Sequence, residues 1–324
     1  MLQQTQLATA RPYYDRFLAR FPTLDSLARA RSSDVLEAWA GLGYYRRARH
    51  LQEAARTVVR EHGSCVPNDP EAFGRLPGVG RYTMGAVLSI CFDRPLAVLD
   101  GNVARVLARL EALPAAIRDP RGARRLWALA DSLVPMRRPG DWNQAMMELG
   151  ATLCTPRAPA CGRCPVRMLC RARALGRVDE FPPAGPRRAV KSVRRAVALI
   201  ERSHRVLMVR HDGTLLKGLW EPPGVDLRQG QAPGPALRAI LSRLGLSARL
   251  APVHGTVRHR ITHRAIAAQV WHGVPTGALP RSARLRWVDP DDPGVPLTAL
   301  ARKITTREHD GLTARGAEHG RRLR

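Results

Sequence analysis

Four cysteines within seventeen residues constrain the fold of this chain more than any other feature of its sequence. They are Cys154, Cys161, Cys164 and Cys170, with the spacing C-x6-C-x2-C-x5-C and with proline, glycine and arginine between them. Such a stretch suits neither a helix face nor a strand ladder, but four thiolates so close together can bind one inorganic centre. Zinc usually takes two C-x2-4-C pairs, whereas the compact spacing favours a cubane iron–sulfur cluster. The sequence therefore predicts a cluster, with zinc as the alternative.

Length and charge set the broad class of the protein. A chain of 324 residues is long enough for two domains with separate cores. Lysine and arginine number 53 against 27 acidic residues, a formal net charge of +26. This excess favours a polyanionic partner, although an arginine-rich composition from a GC-rich genome would also produce it. Because no transmembrane span or secretion signal is present, we expect a cytosolic protein that faces nucleic acid, where disulfides are disfavoured.

A glycine hairpin precedes an apolar helical run in the middle of the first domain. It is formed by Pro77, Gly78, Val79 and Gly80. The two glycines permit positive φ angles and a close approach of a ligand to the backbone. The helix start that follows presents unpaired N–H groups to an anion. The hairpin is therefore predicted to hold a phosphate; an ordinary glycine pair at a helix end is the alternative.

Asp100 is a lone acid that follows the apolar pair Val98-Leu99 and precedes Gly101 and Asn102. A partly desolvated carboxylate one helix away from a phosphate-binding turn suggests chemistry on a nucleic acid. The alternative is a helix N-cap in front of Val103.

Aromatic and basic residues also occur together in the segment GLGYYRRAR, residues 41–49. A ring flanked by glycines can insert between bases while nearby cations meet phosphates. We expect this of Tyr44, with Arg47 as a DNA contact, and we expect Tyr45 to pack inside the protein. Glu37, on the preceding helix, is interpreted as a solvated surface charge.

The patterning changes along the chain from helical to strand-like. No convincing alternating strand occurs before residue 190, so this part is predicted to be all-α. Beyond it, strands at 196–200 and 206–209, a helix at 236–244 and strands near 265–270 and 285–288 predict an α+β domain. The predicted regions are a helical domain at 1–175 with the cysteine loop at 154–170, a basic Pro/Gly linker at 176–195, the α+β domain at 196–300 and a frayed basic tail at 301–324.

Six features occur together: the cysteine spacing and the motifs MLQQTQ, GLGYYRRAR, LPGVGRYT, LDGNV and WNQAMMELGA. Together they resemble the MutY-type adenine DNA glycosylases of the helix-hairpin-helix, iron–sulfur superfamily. The resemblance implies an all-α helix-hairpin-helix glycosylase domain with one [4Fe-4S] cluster on the four cysteines. It also implies a following Nudix-like (MutT-like) lesion-recognition domain.

The implied activity is base excision repair, in which adenine mispaired with 8-oxoguanine or guanine is removed from double-stranded DNA. Asp100 would stabilise the oxocarbenium-like sugar, while Tyr82 and Asn102 position the acid and the sugar. Gln4 and Tyr44 would fill or wedge the base stack. The protein is expected to act as a monomer, without a membrane, in the cytoplasm at the nucleoid.

Position 82 separates this family from its nearest rival. Endonuclease III-like pyrimidine glycosylase/lyases carry a lysine there, whose amine attacks the sugar and leads to strand cleavage. Tyr82 has no amine that could form a Schiff base. The resemblance therefore implies a monofunctional glycosylase that leaves the strand intact.

The second domain resembles a Nudix fold that has lost its catalytic acids. Arg238 and Gly245 remain from the Nudix helix, but Ala239, Ser242 and Arg243 replace its carboxylates. Without these acids the helix should not bind Mg²⁺, so the domain is expected to recognise a lesion and not to hydrolyse a pyrophosphate.

The family reads 8-oxoguanine with a loop of sequence F-S-H. In this chain the corresponding residues are Ile261, Thr262 and His263. Thr262 and His263, together with Leu2, are the expected lesion-recognition residues. A simple turn between two strands is the alternative.

The general acid of the family is a glutamate two residues ahead of the methionine of MLQQTQ, a position that would precede Met1. We expect that the sequence is truncated at its N-terminus, and that the chain as given binds lesion DNA but excises adenine very slowly or not at all. A non-catalytic lesion-binding protein is the alternative.

Overall fold

The computed structural model describes residues 1–306 apart from 2, 4, 6, 184–188, 214–215, 262, 279 and 281. The chain divides into two compact units, Thr57–Arg187 and a second unit that combines Met1–Arg56 with Arg188–Arg324. In the described ranges, no helix has the length and apolar character needed to cross a membrane.

The N-terminal residues form four helices. They are α1 (Leu7–Arg20), α2 (Leu24–Arg29), α3 (Ser32–Ala38) and α4 (Arg46–Glu61). Thr23 starts α2 with a reciprocal capping box, in which Thr23 and Ser26 exchange side chain–backbone hydrogen bonds. Phe17 lies edge-on to the ring of Trp39, with centroids 5.9 Å apart, and fixes α1 against the end of α3.

Helices also build the unit Thr57–Arg187. They are α5 (Pro70–Gly74), α6 (Arg81–Phe92), α7 (Gly101–Leu110), α8 (Pro120–Leu133), α9 (Pro139–Thr152) and α10 (Arg171–Ala174). Helix α7 lies at the centre, and every residue from Val103 to Arg109 is buried. Gly150 of α9 permits close packing on the start of α7, because a Cβ there would meet the Cβ of Asn102 at 2.7 Å.

A mixed sheet dominates the rest of the second unit. Its elements are β1 (Lys191–Arg202), β2 (Arg205–Arg210), β3 (Trp220–Glu221), β4 (Gly224–Asp226), α11 (Pro233–Arg243), β5 (Ala248–Ile261), β6 (Arg264–Pro275) and β7 (Leu285–Val288). The strand order is β3-β2-β1-β6-β5, with β4 beside β1 and β7 beside β2. Only β1 and β6 pair in parallel among these strands.

Each face of this sheet is covered by a helix. On one face, Leu237 and Leu241 of α11 pack against Ala196 and Ile200 of β1. On the other face, residues 299–306 form a helix whose buried side chains join the core with β1 and β6. The described residues before Lys191 contain no strand, so the predicted order of an all-α domain and an α+β domain is confirmed.

Three predicted boundaries need correction. Strand β1 begins at Lys191, inside the predicted linker 176–195, because Val193 already contributes to the sheet core. Phe181, at the other end of that linker, is buried and its carbonyl accepts a hydrogen bond from Arg109. The predicted tail at 301–324 is helical through residue 306, since Ala301 and Ile304 are buried; the remainder of the tail lies outside the described residues.

The predicted domain 1–175 also differs from the observed units, because residues 1–56 group with the sheet. The Arg49 guanidinium donates a hydrogen bond of 2.9 Å to the carbonyl of Lys217. Leu36 of α3 contacts Gly218 so closely that a Cβ there would lie 3.0 Å from its Cδ1. These contacts are formed by side chains far apart in sequence.

Candidate active site

Asp100 is the N-cap of helix α7, and its two oxygens have different surroundings. Oδ1 accepts hydrogen bonds of 2.8 Å from the backbone N–H groups of both Asn102 and Val103. Oδ2 accepts one longer hydrogen bond, 3.3 Å, from the Asn102 side-chain amide. The residue is half-buried. The N-cap alternative is thus what the structure shows, and it fixes the carboxylate while leaving Oδ2 weakly engaged.

Asn102 is itself oriented by a buried arginine. Its Oδ1 accepts a 2.9 Å hydrogen bond from Arg105, which leaves the amide nitrogen directed to Asp100. The Arg105 guanidinium also donates to the carbonyls of Gly150 and Cys154, both at 2.7 Å. One side chain therefore connects the start of α7, the end of α9 and the first cysteine of the cysteine loop.

Tyr82 lies on α6 within electrostatic reach of Asp100. Burial raises the pKa of its hydroxyl, and the negative charge of Asp100 raises it further. The hydroxyl consequently stays protonated at neutral pH, and it lies 3.4 Å from the sulfur of Met147. Asn102 and Tyr82 thus both lie near Asp100, and the catalytic roles expected of the three residues stay predictions.

The glycine hairpin has the geometry that its sequence suggests. The Val79 N–H donates to the Leu76 carbonyl at 3.1 Å, which closes the turn. Gly78 has φ 78°, a left-handed conformation that disfavours other residues. Gly80 is the N-cap of α6, and no side chain caps this helix end. The hairpin connects α5 to α6, so Tyr82 follows it within the first turn of α6.

The four cysteines line a single open cavity with an atom-free volume of about 400 Å³. Burial, and then the neighbouring Cys154 and Cys170, raises the pKa of the Cys161 thiol. Within the described part of the chain, no three or more His, Cys, Asp or Glu side chains are arranged around one metal ion. The four thiols therefore line a cavity, and they are not arranged as the ligands of a single metal ion.

Arg109 closes the base of this cavity. It is 2% exposed and donates to the carbonyls of Thr155 at 2.7 Å and Phe181 at 2.9 Å. It also lies 3.4 Å from Cys154 Sγ. Arg105 and Arg109 were not predicted as functional residues. Their signal was present as two arginines, one turn apart, in the otherwise apolar helix NVARVLARL.

Comparison of the chain with known proteins shows the family to which it belongs. Residues 1–131 match the HhH-GPD superfamily of base excision DNA repair proteins, and residues 196–307 match the NUDIX domain. The adenine DNA glycosylase of Homo sapiens is 36% identical over 369 residues, covering 96% of this chain and 67% of the relative. The chain belongs to the adenine DNA glycosylase family.

Two further members are similar to the chain over shorter shares of their length. The adenine DNA glycosylase of Rattus norvegicus is 39% identical over 339 residues, covering 89% of this chain and 66% of the relative. That of Arabidopsis thaliana is 41% identical over 265 residues, covering 71% of this chain and 42% of the relative. The chain thus spans about two thirds of the rat relative.

The expected DNA-contact residues of this family member have contrasting environments. Tyr44 is 49% exposed with φ 47°, whereas Tyr45 is buried, as expected. Arg47 donates to the carbonyl of Met1 at 2.8 Å and lies 5.6 Å from the Tyr44 ring centroid. Its guanidinium therefore fastens the N-terminal segment, and a DNA contact by Arg47 stays a prediction. Gln4 lies outside the described residues.

Glu37 forms a 3.0 Å salt bridge with Arg20 on the neighbouring helix, in agreement with its interpretation as a surface charge.

In the expected lesion-recognition loop, Ile261 ends β5 and His263 is an exposed residue of the turn to β6. Leu2 and Thr262, the other expected lesion-recognition residues, lie outside the described residues.

The degenerate Nudix helix is α11. Ala239, Ser242 and Arg243, which stand where catalytic acids would be, are all exposed on this helix. The sequence of α11 contains no carboxylate, so it offers none of the acidic ligands that Mg²⁺ requires.

Proposed function

We propose that this protein is a monofunctional base-excision-repair glycosylase that hydrolyses the N-glycosidic bond of adenine mispaired with 8-oxoguanine or guanine. The observation that supports it best is the Asp100 carboxylate, fixed by two backbone N–H groups with its second oxygen only weakly bonded. It acts as a monomer on duplex DNA of the nucleoid, in the cytoplasm.

Asp100 acts on the sugar and not on the base. The target adenine first leaves the duplex, at an unstacking cost of a few kcal/mol. When the base departs, positive charge develops on the deoxyribose, as in other glycoside hydrolyses. A prepositioned carboxylate in a partly desolvated site stabilises that charge without reorganising. Asn102 holds Oδ2 in place for this role.

The strand stays intact because position 82 offers no amine. A phenol with a raised pKa stays neutral and cannot form a Schiff base with the opened sugar. Borohydride should therefore trap no covalent complex between the protein and adenine-containing mispaired duplexes. A trapped complex would favour the lyase activity of the endonuclease III-like alternative.

No residue of the 324-residue sequence is proposed as the proton donor to adenine. The resemblance implies for this role a glutamate in front of the MLQQTQ motif. Assays of excision therefore use an extended chain, defined as the 324-residue chain preceded by the glutamate-bearing segment of a relative. The 324-residue chain itself serves for binding assays.

DNA is held at the hairpin and wedged by Tyr44. The uncapped start of α6 directs backbone N–H groups and a helix dipole toward an anion, which suits a backbone phosphate. Tyr44 is exposed and follows Gly43, so its ring can enter the base stack. Gln4 is proposed to act with it in the stack, and Arg47 to contact a phosphate. Leu2, Thr262 and His263 read the 8-oxoguanine.

Cys154, Cys161, Cys164 and Cys170 hold one [4Fe-4S] cluster, as is general in this superfamily. The donor set fits, because four thiols line one open cavity. When bound, the cluster would cross-link the two ends of the cysteine loop, whose Cys154 lies against Arg109 of α7; hydrolysis of the glycosidic bond needs no redox step. Iron and acid-labile sulfide analysis tests this, with about four of each expected per chain. Stoichiometric zinc would support the alternative.

The decisive assay is single-turnover excision by the extended chain on a duplex with one A:8-oxoguanine pair. We expect release of adenine, without strand cleavage until alkali is added. Matched duplexes with A:T or C:G pairs are the controls. Release of a pyrimidine, or no release of adenine by a chain that binds the duplex, would contradict the proposed function.

A further inference from the structure

The sheet of the second unit carries an arginine-lined surface that the proposed active site does not use. We call it the arginine platform. It consists of Arg194 on β1, Arg258 and Arg260 on β5, and Ala265 and Ala267 on the intervening strand β6.

The strand register brings these residues together. Ala267 pairs with Arg194 on one side and with Arg258 on the other, and Ala265 pairs with Arg260. Side chains of paired residues point to the same face of a sheet. Ala196, two residues beyond Arg194, packs on α11, so the platform lies on the face that carries α11. Ala265 and Ala267, whose side chains are short, lie between the arginines of β1 and β5.

The cations of the platform lack protein partners. All three arginines are exposed, and their side chains make no hydrogen bond or ion pair with any residue the structure describes. On the opposite face, the neighbouring Arg195 and Arg264 both pair with Asp226. Arg195 and Arg264 are therefore compensated within the sheet, whereas the three platform arginines are not compensated by a described residue.

The spacing and location suit a DNA backbone. Arg194 and Arg258 are two strands apart, a separation of about 10 Å between their backbones. Guanidinium groups bind phosphates with paired hydrogen bonds, and the short alanine side chains let a strand approach closely. Arg260 is the next-to-last residue of β5, which leads into the turn that contains His263. We propose that the arginine platform binds the phosphate backbone of the strand whose base is read at that turn, an inference that rests on the proposed function.

The test compares two triple variants of the full chain that remove equal charge. The platform variant is Arg194→Ala, Arg258→Ala and Arg260→Ala. The control variant is Arg202→Ala, Arg205→Ala and Arg286→Ala, three exposed arginines of the same sheet. Binding to an A:8-oxoguanine duplex is measured by fluorescence anisotropy between about 50 and 200 mM salt. Thermal unfolding confirms that both variants fold.

We expect the platform variant to lose at least about tenfold in affinity. The slope of log K against log salt should fall by about 2 to 3, near 0.9 for each phosphate that the protein no longer neutralises. The control variant should stay within about threefold of the wild type, since general charge screening affects both alike. Substitution of the three platform arginines by lysine should restore most of the slope, because the charge returns.

The possible failures are distinguishable. If the wild type binds duplex DNA and the two triple variants behave alike, the platform proposal is overturned while the proposed function stands. If the wild type fails to bind duplex DNA, both are overturned. Binding of 8-oxo-dGMP that the platform variant loses while its duplex affinity is retained would assign the surface to free nucleotides and overturn the proposal.

Discussion

Asp100 and Glu221 are carboxylates in two regions of the molecule, and their partners differ in charge. Asp100, in the helical unit, accepts hydrogen bonds from two backbone N–H groups and one amide, and forms no salt bridge with a described residue. Glu221, in the sheet, is 5% exposed and is paired with Arg195. It also lies 3.1 Å from His211 and accepts a 3.1 Å hydrogen bond from Thr298.

The difference shows which acid is available for chemistry. The charge of Glu221 is compensated inside the protein, and its hydrogen bonds organise structure, since the Thr298 hydroxyl that it holds caps the helix at 299–306. The charge of Asp100 is fixed in position, and Arg105 lies within electrostatic reach of it without forming a salt bridge. A substrate that becomes positive in the transition state can supply a direct ionic partner.

The largest expected effect is that of Asp100→Asn on catalysis. The amide retains the N-cap hydrogen bond and removes the charge, so stability should change by less than about 1 kcal/mol. Single-turnover excision by the extended chain should slow by about 10³-fold, equivalent to about 4 kcal/mol. Asp119→Asn is the matched control, because Asp119 caps α8 by the same kind of hydrogen bond. Equal excision rates in Asp100→Asn and Asp119→Asn would show that the charge of Asp100 has no particular role in catalysis.

Glu221→Gln should act on stability and leave catalysis unchanged. Removing the buried partner leaves Arg195 with only the more exposed Asp226 as a described charge partner, at a cost of up to about 3 kcal/mol in the free energy of unfolding. Chemical denaturation at neutral pH measures this cost. Excision by the folded variant of the extended chain should match that of its parent; a large loss of rate in a folded protein would show that the two carboxylates are not functionally distinct.

The stability effect of Glu221→Gln should also depend on pH, which distinguishes Glu221 further from Asp100. Burial acts to raise the pKa of Glu221, but the hydrogen bond from His211 and the charge of Arg195 outweigh it and hold the pKa below its usual value. Such a group contributes stability above its unfolded pKa of about 4.3 and loses it as the pH falls through the folded pKa. The stability difference between wild type and Glu221→Gln should therefore be complete at neutral pH and shrink below about pH 4.3. A constant difference would contradict this assignment.

Asn102→Ala should produce a smaller catalytic loss than Asp100→Asn. The variant keeps the carboxylate and its backbone hydrogen bonds but releases Oδ2 from its amide partner. Excision should slow by about tenfold, or about 1.4 kcal/mol, with DNA affinity retained. The control is Gln144→Ala, because Gln144 is an exposed residue of α9. Asn143→Ala would not be suitable, because Asn143 is buried.

Gly78→Ala should have the smallest effect, a small loss of affinity for duplex DNA caused by backbone strain in the hairpin. The left-handed conformation at φ 78° costs a residue with a Cβ about 1 kcal/mol. We expect a loss of threefold to tenfold in duplex affinity, on the order of 1 kcal/mol. Gly63→Ala, at φ 56° in a different turn, should show similar strain with no loss of affinity.

Local sequence patterns predicted the backbone geometry at two of the candidate site residues. The cysteine spacing, the hairpin glycines and the acid before Gly101 depend on short segments whose backbone geometry is set by neighbours in sequence. For this reason the N-cap of Asp100 and the positive φ of Gly78 agree with the analysis of the sequence.

The features that sequence analysis missed are non-local. Arg105 and Arg109 are buried because carbonyls from α9, the cysteine loop and the segment at Phe181 surround them. Two arginines one turn apart in an apolar helix can indicate burial, but they do not indicate which distant carbonyls bind them. Strand β1 begins in a charged segment, KSVRR, because its pairing with β6 outweighs its polar composition. The grouping of residues 1–56 with the sheet likewise depends on contacts between distant segments.

The most direct test of the role of Asp100 uses a substrate analogue that carries the positive charge of the sugar. Duplexes with a cationic pyrrolidine or a neutral tetrahydrofuran sugar opposite 8-oxoguanine differ in this charge and need no proton donor, so the 324-residue chain can be used as it is. The wild type should bind the cationic duplex more tightly by about tenfold or more, a preference of at least about 1.4 kcal/mol. Asp100→Asn should abolish that preference. An equal preference in both proteins would contradict the claim that the negative charge at position 100 stabilises the positive sugar as the base departs.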